Sequence, residues 1–553
     1  MSARPEDATG NDAPTRGRRD AAGMADVLLR RAAISSGRRV DLCLAAGRFL
    51  LWSAIFAIIY TQAPLYTSNQ NTKFLHGLAR AGLGQLNRDW TASTIDPLPV
   101  FTLLVYLTYR FLHEYAFYAY YALLMGVYVC GLRGIASEIF QINSSKLKEL
   151  VFLTLLFAVH AGQFSAWSKE TFKTDLSWQL QAGVAEQYLL GPVFQPCVFG
   201  AFIILSIYLF LRRRPFIAVT LLALAATVHT AYLPAAALLT LSYMLIAFSE
   251  ERDFKRPLAM GLLALALVLP VVVHGWLYLG PTTQELWRRA QDIIVNFRIP
   301  QHSLPERWFD GWAGVKIILI GLALYLVRGT RLFAVMGFSF AVAVVLTGAQ
   351  VITKSNSLAF LAPWRLSVYL VPLATATIIA WATTAIFRKF DCPISRHTRV
   401  VWAVSLVALL LLVVGGVKTQ QKQFVDYYAK DASMGMMNFV KANNGPGDIY
   451  LIPVENQKFR LYTGAPIFIN FKTHPYKDIE VIEWYERLMV AKRFYEADDA
   501  TRCVMLDDFT ARYSVTHVVL KGSQIDTSCG TLRQLYSDGK YGVFRIEPSS
   551  ARH

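Results

Sequence analysis

Apolar runs close to the length of a membrane-crossing helix recur through the first three quarters of this 553-residue chain, and short loops rich in Lys and Arg separate them. A helix needs about 20 residues to cross a hydrocarbon core of roughly 30 Å. Inside that core every backbone polar group must be satisfied within the segment, so each run is restricted to a helix. We place the runs at 42–61, 114–132, 150–165, 196–211, 215–230, 232–248, 258–279, 313–327, 332–352, 363–386 and 400–417, eleven in all. The predicted fold class is a polytopic α-helical membrane protein.

The placement of charge orients those helices. The net charge is +17, but the basic residues cluster between apolar runs: Arg212–Arg214, Arg252/Lys255/Arg256, Arg328/Arg331 and Arg388 through Arg399. That is the pattern that retains loops in the cytoplasm, and it argues against nucleic acid as a partner. Residues 1–40 are polar and rich in Arg, Ala, Gly and Asp, the composition of a disordered cytoplasmic tail. The first apolar run begins only near Asp41 and lacks a small-residue cleavage site, so it is expected to stay as an anchor. Eleven crossings then put residues 418–553 on the far side, together with loops 62–113, 166–195, 280–312 and 353–362. The stretch 215–248 is the critical step, because residues 227–230 must form a tight turn there. One long span in its place would flip everything after it.

Two domains are expected: a transmembrane domain over 41–417 and a terminal domain over 418–553. In the latter, charge rises and apolar runs shorten. The segments 448–453, 467–471, 517–520 and 541–546 read as short buried strands, and 477–497 has helical spacing. Strands alternating with helices predict a small α/β domain. Cys503 and Cys529 share it, and one disulfide is open to them in an oxidising compartment. Neither C-x-x-C nor H-E-x-x-H occurs, so no metal site is expected. Within the first loop, 99–112 (PVFTLLVYLTYRFL) is too short to span and fits a helix lying in the membrane interface.

The far-side loops carry the candidate functional residues. Asp89 and Asp96 stand in GQLNRDWTASTIDPLPVF; a carboxylate within reach of a hydroxyl can act as general base, although Asp96 before Pro97 also suits a helix N-cap. Glu186 lies in VAEQYLLGPVFQP just before a run, either facing a shared cavity or simply solvated. His229 sits at the end of a run in VHTAYLP. In NFRIPQHSLP two prolines bracket His302 while Arg298 offers a cation, which suits a phosphate headgroup. Lys354 and Arg365 flank the tenth run in KSNSLAFLAPWRLS. An arginine inside an apolar run is costly unless it is paired, lines a polar cavity or snorkels to the interface. Most runs are otherwise free of charge, with Lys316 and Arg365 near run ends, which disfavours a transporter.

Several of these segments resemble a known class. NRDWTASTIDPLPVF, YLLGPVFQP, FRIPQHSLP, APWRLS and FRLYTGAPIFINFKTHPYKD followed by IEWYERL look like a group of bacterial GT-C-like membrane glycosyltransferases with a C-terminal domain of unknown function. The resemblance covers roughly Arg48 to Ile546. It implies a GT-C-like fold in the bacterial inner membrane, N-terminus cytoplasmic and α/β domain periplasmic. It further implies inverting transfer of a sugar from a polyprenyl-phosphate donor to a glycan or lipid acceptor, without a cofactor. By position, Asp89 would be the base, with Asp96 second, and Arg298, Lys354 or Arg365 would hold the lipid phosphate. Asp89 lacks the D-x-D or adjacent acidic pair of better-known members. A non-catalytic protein binding glycan or lipid in envelope polysaccharide assembly is the alternative reading.

Overall fold

The computed structural model describes residues 43–390, 394 and 396–547. The expected tail over 1–40 lies outside the described residues, as does Cys392. Residues up to Trp52 form one compact unit and Ser53 onward a second, which contains every feature of the candidate site.

Each of the eleven apolar runs falls on a helix. Among the described residues, seven helices are long and apolar enough to cross a membrane: Cys43–Tyr60, Ala116–Phe140, Thr230–Glu251, Lys255–Leu279, Arg331–Thr353, Asn356–Lys389 and Thr398–Ala429. Lys146–His160 and Gly162–Phe172 form a pair bent by 50° that could count as an eighth. Pro196–Leu211, Pro215–Val228 and Gly311–Leu326 are apolar but shorter. At 1.5 Å per residue they reach only about 21–24 Å.

The stretch 215–248 resolves into two helices joined by a turn at His229–Tyr232. Arg213 at the start of the first pairs with Glu250 near the end of the second at 2.8 Å, so the two run antiparallel. Arg331 donates to the same carboxylate at 2.6 Å, and Arg212 lies 3.6 Å from Glu138. One end of the bundle therefore gathers the basic turns, and the other gathers the long loops.

Helix Pro99–Phe111 follows in the first loop. Its start is set by Asp96, whose Oδ1 accepts from Leu98 N and Thr102 Oγ1, both at 3.0 Å. Phe101, Thr102, Val105 and Thr108 face inward, while Val100, Leu103, Leu107 and Phe111 form an exposed apolar stripe. Such a stripe suits the interfacial position expected of it.

The terminal domain is built on a four-stranded sheet ordered β1-β2-β4-β3, with β1 at Tyr450–Leu451, β2 at His517–Lys521, β3 at Leu532–Ser537 and β4 at Tyr541–Ile546. β1 and β2 are parallel and the other pairs antiparallel. Helices Asp478–Glu496 and Asp499–Tyr513 pack on it around buried Trp484, Leu488, Phe494 and Phe509. Cys503 and Cys529 are joined as a disulfide, their Cα atoms 5.4 Å apart.

The segment 467–471 departs from the strand expected there, making one isolated bridge from Ile467 to Tyr450. The Ile467 N–H donates instead to Asp89 Oδ2 of the first loop, at 3.0 Å. A side chain from the membrane domain thus occupies the position of a neighbouring strand.

Candidate functional site

The first loop and the terminal domain are locked together by backbone as well as side chains. Gly84 and Gly464 both have positive φ, and Gln85 N donates to Gly464 O at 2.8 Å. A β-carbon on Gly84 would collide with the backbone of Gly464, so only glycine allows this approach. Beside this contact, Asp89 is fully used. Its carboxylate accepts from the N–H groups of Thr91, Ala92 and Ile467 at 2.9, 3.2 and 3.0 Å, and Oδ2 lies 2.9 Å from Arg460 Nε. Arg460 is itself buried, with Nη2 3.2 Å from Thr91 Oγ1. Nearby, Arg487 stacks over the Trp90 ring at 4.4 Å and Glu480 accepts from Ile95 N at 3.0 Å.

Apart from this junction, the first loop and the terminal domain also share a cavity of about 260 Å³. The first loop contributes Asn69, Thr72 and Lys73, from the start and end of one short helix and so from one face of it. The second loop contributes Glu186, Gln187 and Tyr188, the turn at 229–232 contributes His229 and Tyr232, and the third loop contributes Arg298 and His302. Arg298 ends a wide π-type turn, Ile293–Arg298, whose apolar face is packed into the core of the terminal domain. Arg365 enters from the tight turn Pro363–Ser367. Lys472, His474 and Tyr476 alternate along an extended stretch of the terminal domain, which turns all three toward the same side.

The cavity is strongly cationic. Lys73, Arg298, Arg365 and Lys472 all line it, and among the described residues Glu186 is its only carboxylate. Lys73 Nζ is hydrogen-bonded to the Tyr476 hydroxyl. Burial opposes ionisation of that phenol, but Lys73, Arg298 and Arg365 outweigh it and bring its pKa below the ordinary value. Burial, with Arg298 and Lys73 close by, lowers the Lys472 ammonium to about 8. The same three causes push the His474 imidazole well below its usual range, so it is neutral at pH 7. Arg298 donates from Nη2 to Lys472 O at 2.7 Å, and Arg365 from Nε to Gln187 Oε1 at 2.9 Å. His302 Nδ1 lies 2.9 Å from Ala185 O. The Nε of Arg298 and the Nδ1 of His229 are buried without partners.

Glu186 has the left-handed backbone conformation, φ 59°, which turns its side chain out of the loop. Oε1 lies 2.6 Å from Nζ of Lys316, a fully buried lysine on helix Gly311–Leu326, and Trp178 Nε1 donates to Oε2. The carboxylate is thus held between these two donors and is still 40% exposed.

Of the residues singled out in the sequence, Glu186, His229, Arg298, His302 and Arg365 meet in this cavity. Asp89 does not line it, because its acceptor positions face Arg460 and three backbone N–H groups. Asp96 does not line it either: Oδ1 caps the interfacial helix and Oδ2 lies 3.3 Å from Arg80, while Pro97 and Leu98 just after it do reach the cavity wall. Lys354 ends helix Arg331–Thr353 in the left-handed conformation and is exposed away from the cavity. Lys73 was not singled out in the sequence, whereas Lys472, His474 and Tyr476 lie in the quoted segment FRLYTGAPIFINFKTHPYKD without having been named one by one. The alternation K-T-H-P-Y over 472–476 was the available signal for those three.

Fold and site together define a helical multi-pass membrane protein whose terminal α/β domain completes a cation-lined cavity at one end of the bundle. Within that domain, residues 431–490 match the family described as Domain of unknown function (DUF6798). Among solved structures the chain is similar to ArnT from Cupriavidus metallidurans in the apo state, at 12% identity and TM-score 0.45, covering 91% of this chain and 98% of that one. No curated protein matches it.

Proposed function

We propose that the protein is an inverting glycosyltransferase of GT-C type, moving a sugar from a polyprenyl-phosphate donor to a glycan or lipid acceptor at the periplasmic face of a bacterial inner membrane. One observation carries this reading: four cationic side chains and a single carboxylate line the same cavity, at the loop end of an apolar bundle. Cations suit a phosphate that must gain charge as it leaves. A carboxylate on the same wall suits an acceptor hydroxyl that must lose a proton. On this reading Glu186 is the base, and Asp89 and Asp96 are structural. The acceptor oxygen attacks the anomeric carbon as its proton passes to Glu186. The carbon–oxygen bond to the phosphate breaks, and the phosphate departs with the electron pair between Lys73, Arg298, Arg365 and Lys472. Lys316 holds Glu186 in place at 2.6 Å.

The membrane topology belongs to the same proposal. Counting the bent pair as one crossing and the three shorter helices as crossings gives eleven. The basic end is then cytoplasmic and the cavity periplasmic. Support comes from the antiparallel pairing through Arg213 and Glu250, which requires the chain to turn at His229–Tyr232.

The test is transfer from a panel of polyprenyl-phosphate sugars by purified wild-type protein and Glu186→Gln. The expected loss on substitution is about 10²–10⁴-fold in kcat with donor binding retained. Unchanged turnover removes Glu186 from the role of base. Donor binding by the wild type without any turnover favours a non-catalytic glycan- or lipid-binding protein.

A further inference from the structure

The cavity holds more positive charge than a single phosphodiester can balance. Lys73, Arg298, Arg365 and Lys472 all reach it. The one carboxylate, Glu186, is already matched by Lys316 at 2.6 Å. Lys73 has as its partner only the Tyr476 hydroxyl, and Arg298 keeps a buried Nε without an acceptor. Arg298 otherwise donates to a backbone carbonyl and Arg365 to a side-chain amide, both neutral acceptors. Cations crowded together with no counter-charge destabilise the empty site, and an anion that meets them relieves it.

The charge of the two candidate headgroups differs. A carrier joined to its sugar through one phosphate brings one negative charge and departs with up to two. Joined through a diphosphate, it brings two and departs with about three. Only the second approaches the four cations present. We infer that the cavity binds a diphosphate group, the four cations being shared between its two phosphates and Tyr476 releasing Lys73 as the ligand enters. This rests on the lipid-carrier reading of the same cavity and replaces the single phosphate of that reading with two. The short extended stretch carrying Lys472 and Tyr476 makes the terminal domain the element that sets this preference.

The experiment titrates full-length protein in lipid nanodiscs with farnesyl phosphate, farnesyl diphosphate and inorganic pyrophosphate. Farnesyl diphosphate is expected to bind at least about tenfold more tightly than farnesyl phosphate. Lys472→Met should shrink that gap to about threefold or less, weakening farnesyl diphosphate more than farnesyl phosphate. Tyr476→Phe, which keeps the ring and its packing, should tighten farnesyl diphosphate by freeing Lys73. Equal affinity for the two lipids, or weaker diphosphate binding by Tyr476→Phe, overturns the inference and leaves the carrier reading standing. Failure of both lipids to bind overturns both. Pyrophosphate binding as tightly as farnesyl diphosphate upholds the diphosphate site and turns it against a lipid carrier.

Discussion

Lys472 is the residue whose protonation decides how the cavity responds to pH. In the empty site, burial and the neighbouring Arg298 and Lys73 place its pKa at about 8. A bound anion favours the charged form and raises that value, so binding takes up a proton wherever the free lysine is neutral. The sign follows. Below about pH 8 the ammonium is already present and affinity for a phosphate ligand is flat. As pH rises through 8 affinity falls, by up to about tenfold per pH unit until the pKa of the bound state is reached. Ionisation of Tyr476, whose pKa is also depressed, adds to the fall, while His474 stays neutral throughout and contributes nothing. Titrating farnesyl phosphate from pH 7 to 9.5 checks this, and Lys472→Met should flatten most of the slope.

At the scale of elements, the contact between the first loop and the terminal domain is the joint on which the site depends. Asp89 and Arg460 are both buried, and removing one leaves the other charged and unpaired. Asp89→Asn is therefore expected to destabilise the joint by about 3–5 kcal/mol. The measurement is the thermal midpoint of the purified protein together with proteolysis at the 472–476 stretch. The double change Asp89→Asn with Arg460→Met should recover much of the loss. A catalytic Asp89 predicts the opposite pattern, with lost turnover at an unchanged midpoint.

The same joint explains what the sequence could and could not disclose about this region. Apolar periodicity located each long helix, and the helix expected over 99–112 begins at Pro99 and ends at Phe111, three residues after the Asp96 that suited a cap. Segment 467–471 read as a strand because its residues are apolar and buried; nothing local announces that its N–H partner is a carboxylate 378 residues earlier. Asp89 looked free for chemistry for the same reason, since Arg460 is far away in sequence. Glu186 and Arg298 were legible from their loops. Lys73 sits on a four-residue helix too short to show a periodic face.

For the whole molecule the proposal with the widest consequences is orientation. In a chain whose free cysteines are replaced, Lys540→Cys should react with a membrane-impermeant maleimide in intact spheroplasts. Asp253→Cys, beside the basic turns, should react only after permeabilisation. Both positions are exposed and lie outside the cavity. The reverse labelling would place the cavity in the cytoplasm and remove the periplasmic acceptor from consideration.

Lys73 and Tyr476, which touch across the cavity, are 403 residues apart. That separation has a consequence for biogenesis. A ribosome that has released every apolar helix has not yet delivered the terminal domain's share of the cavity, so a chain halted between Arg365 and Lys472 carries three of the four cations and no complete cavity. Loop closure over such a distance also comes late, after the local helices have formed. The complete cavity is therefore the last feature the polypeptide acquires, and it marks a chain whose terminal domain has folded and docked.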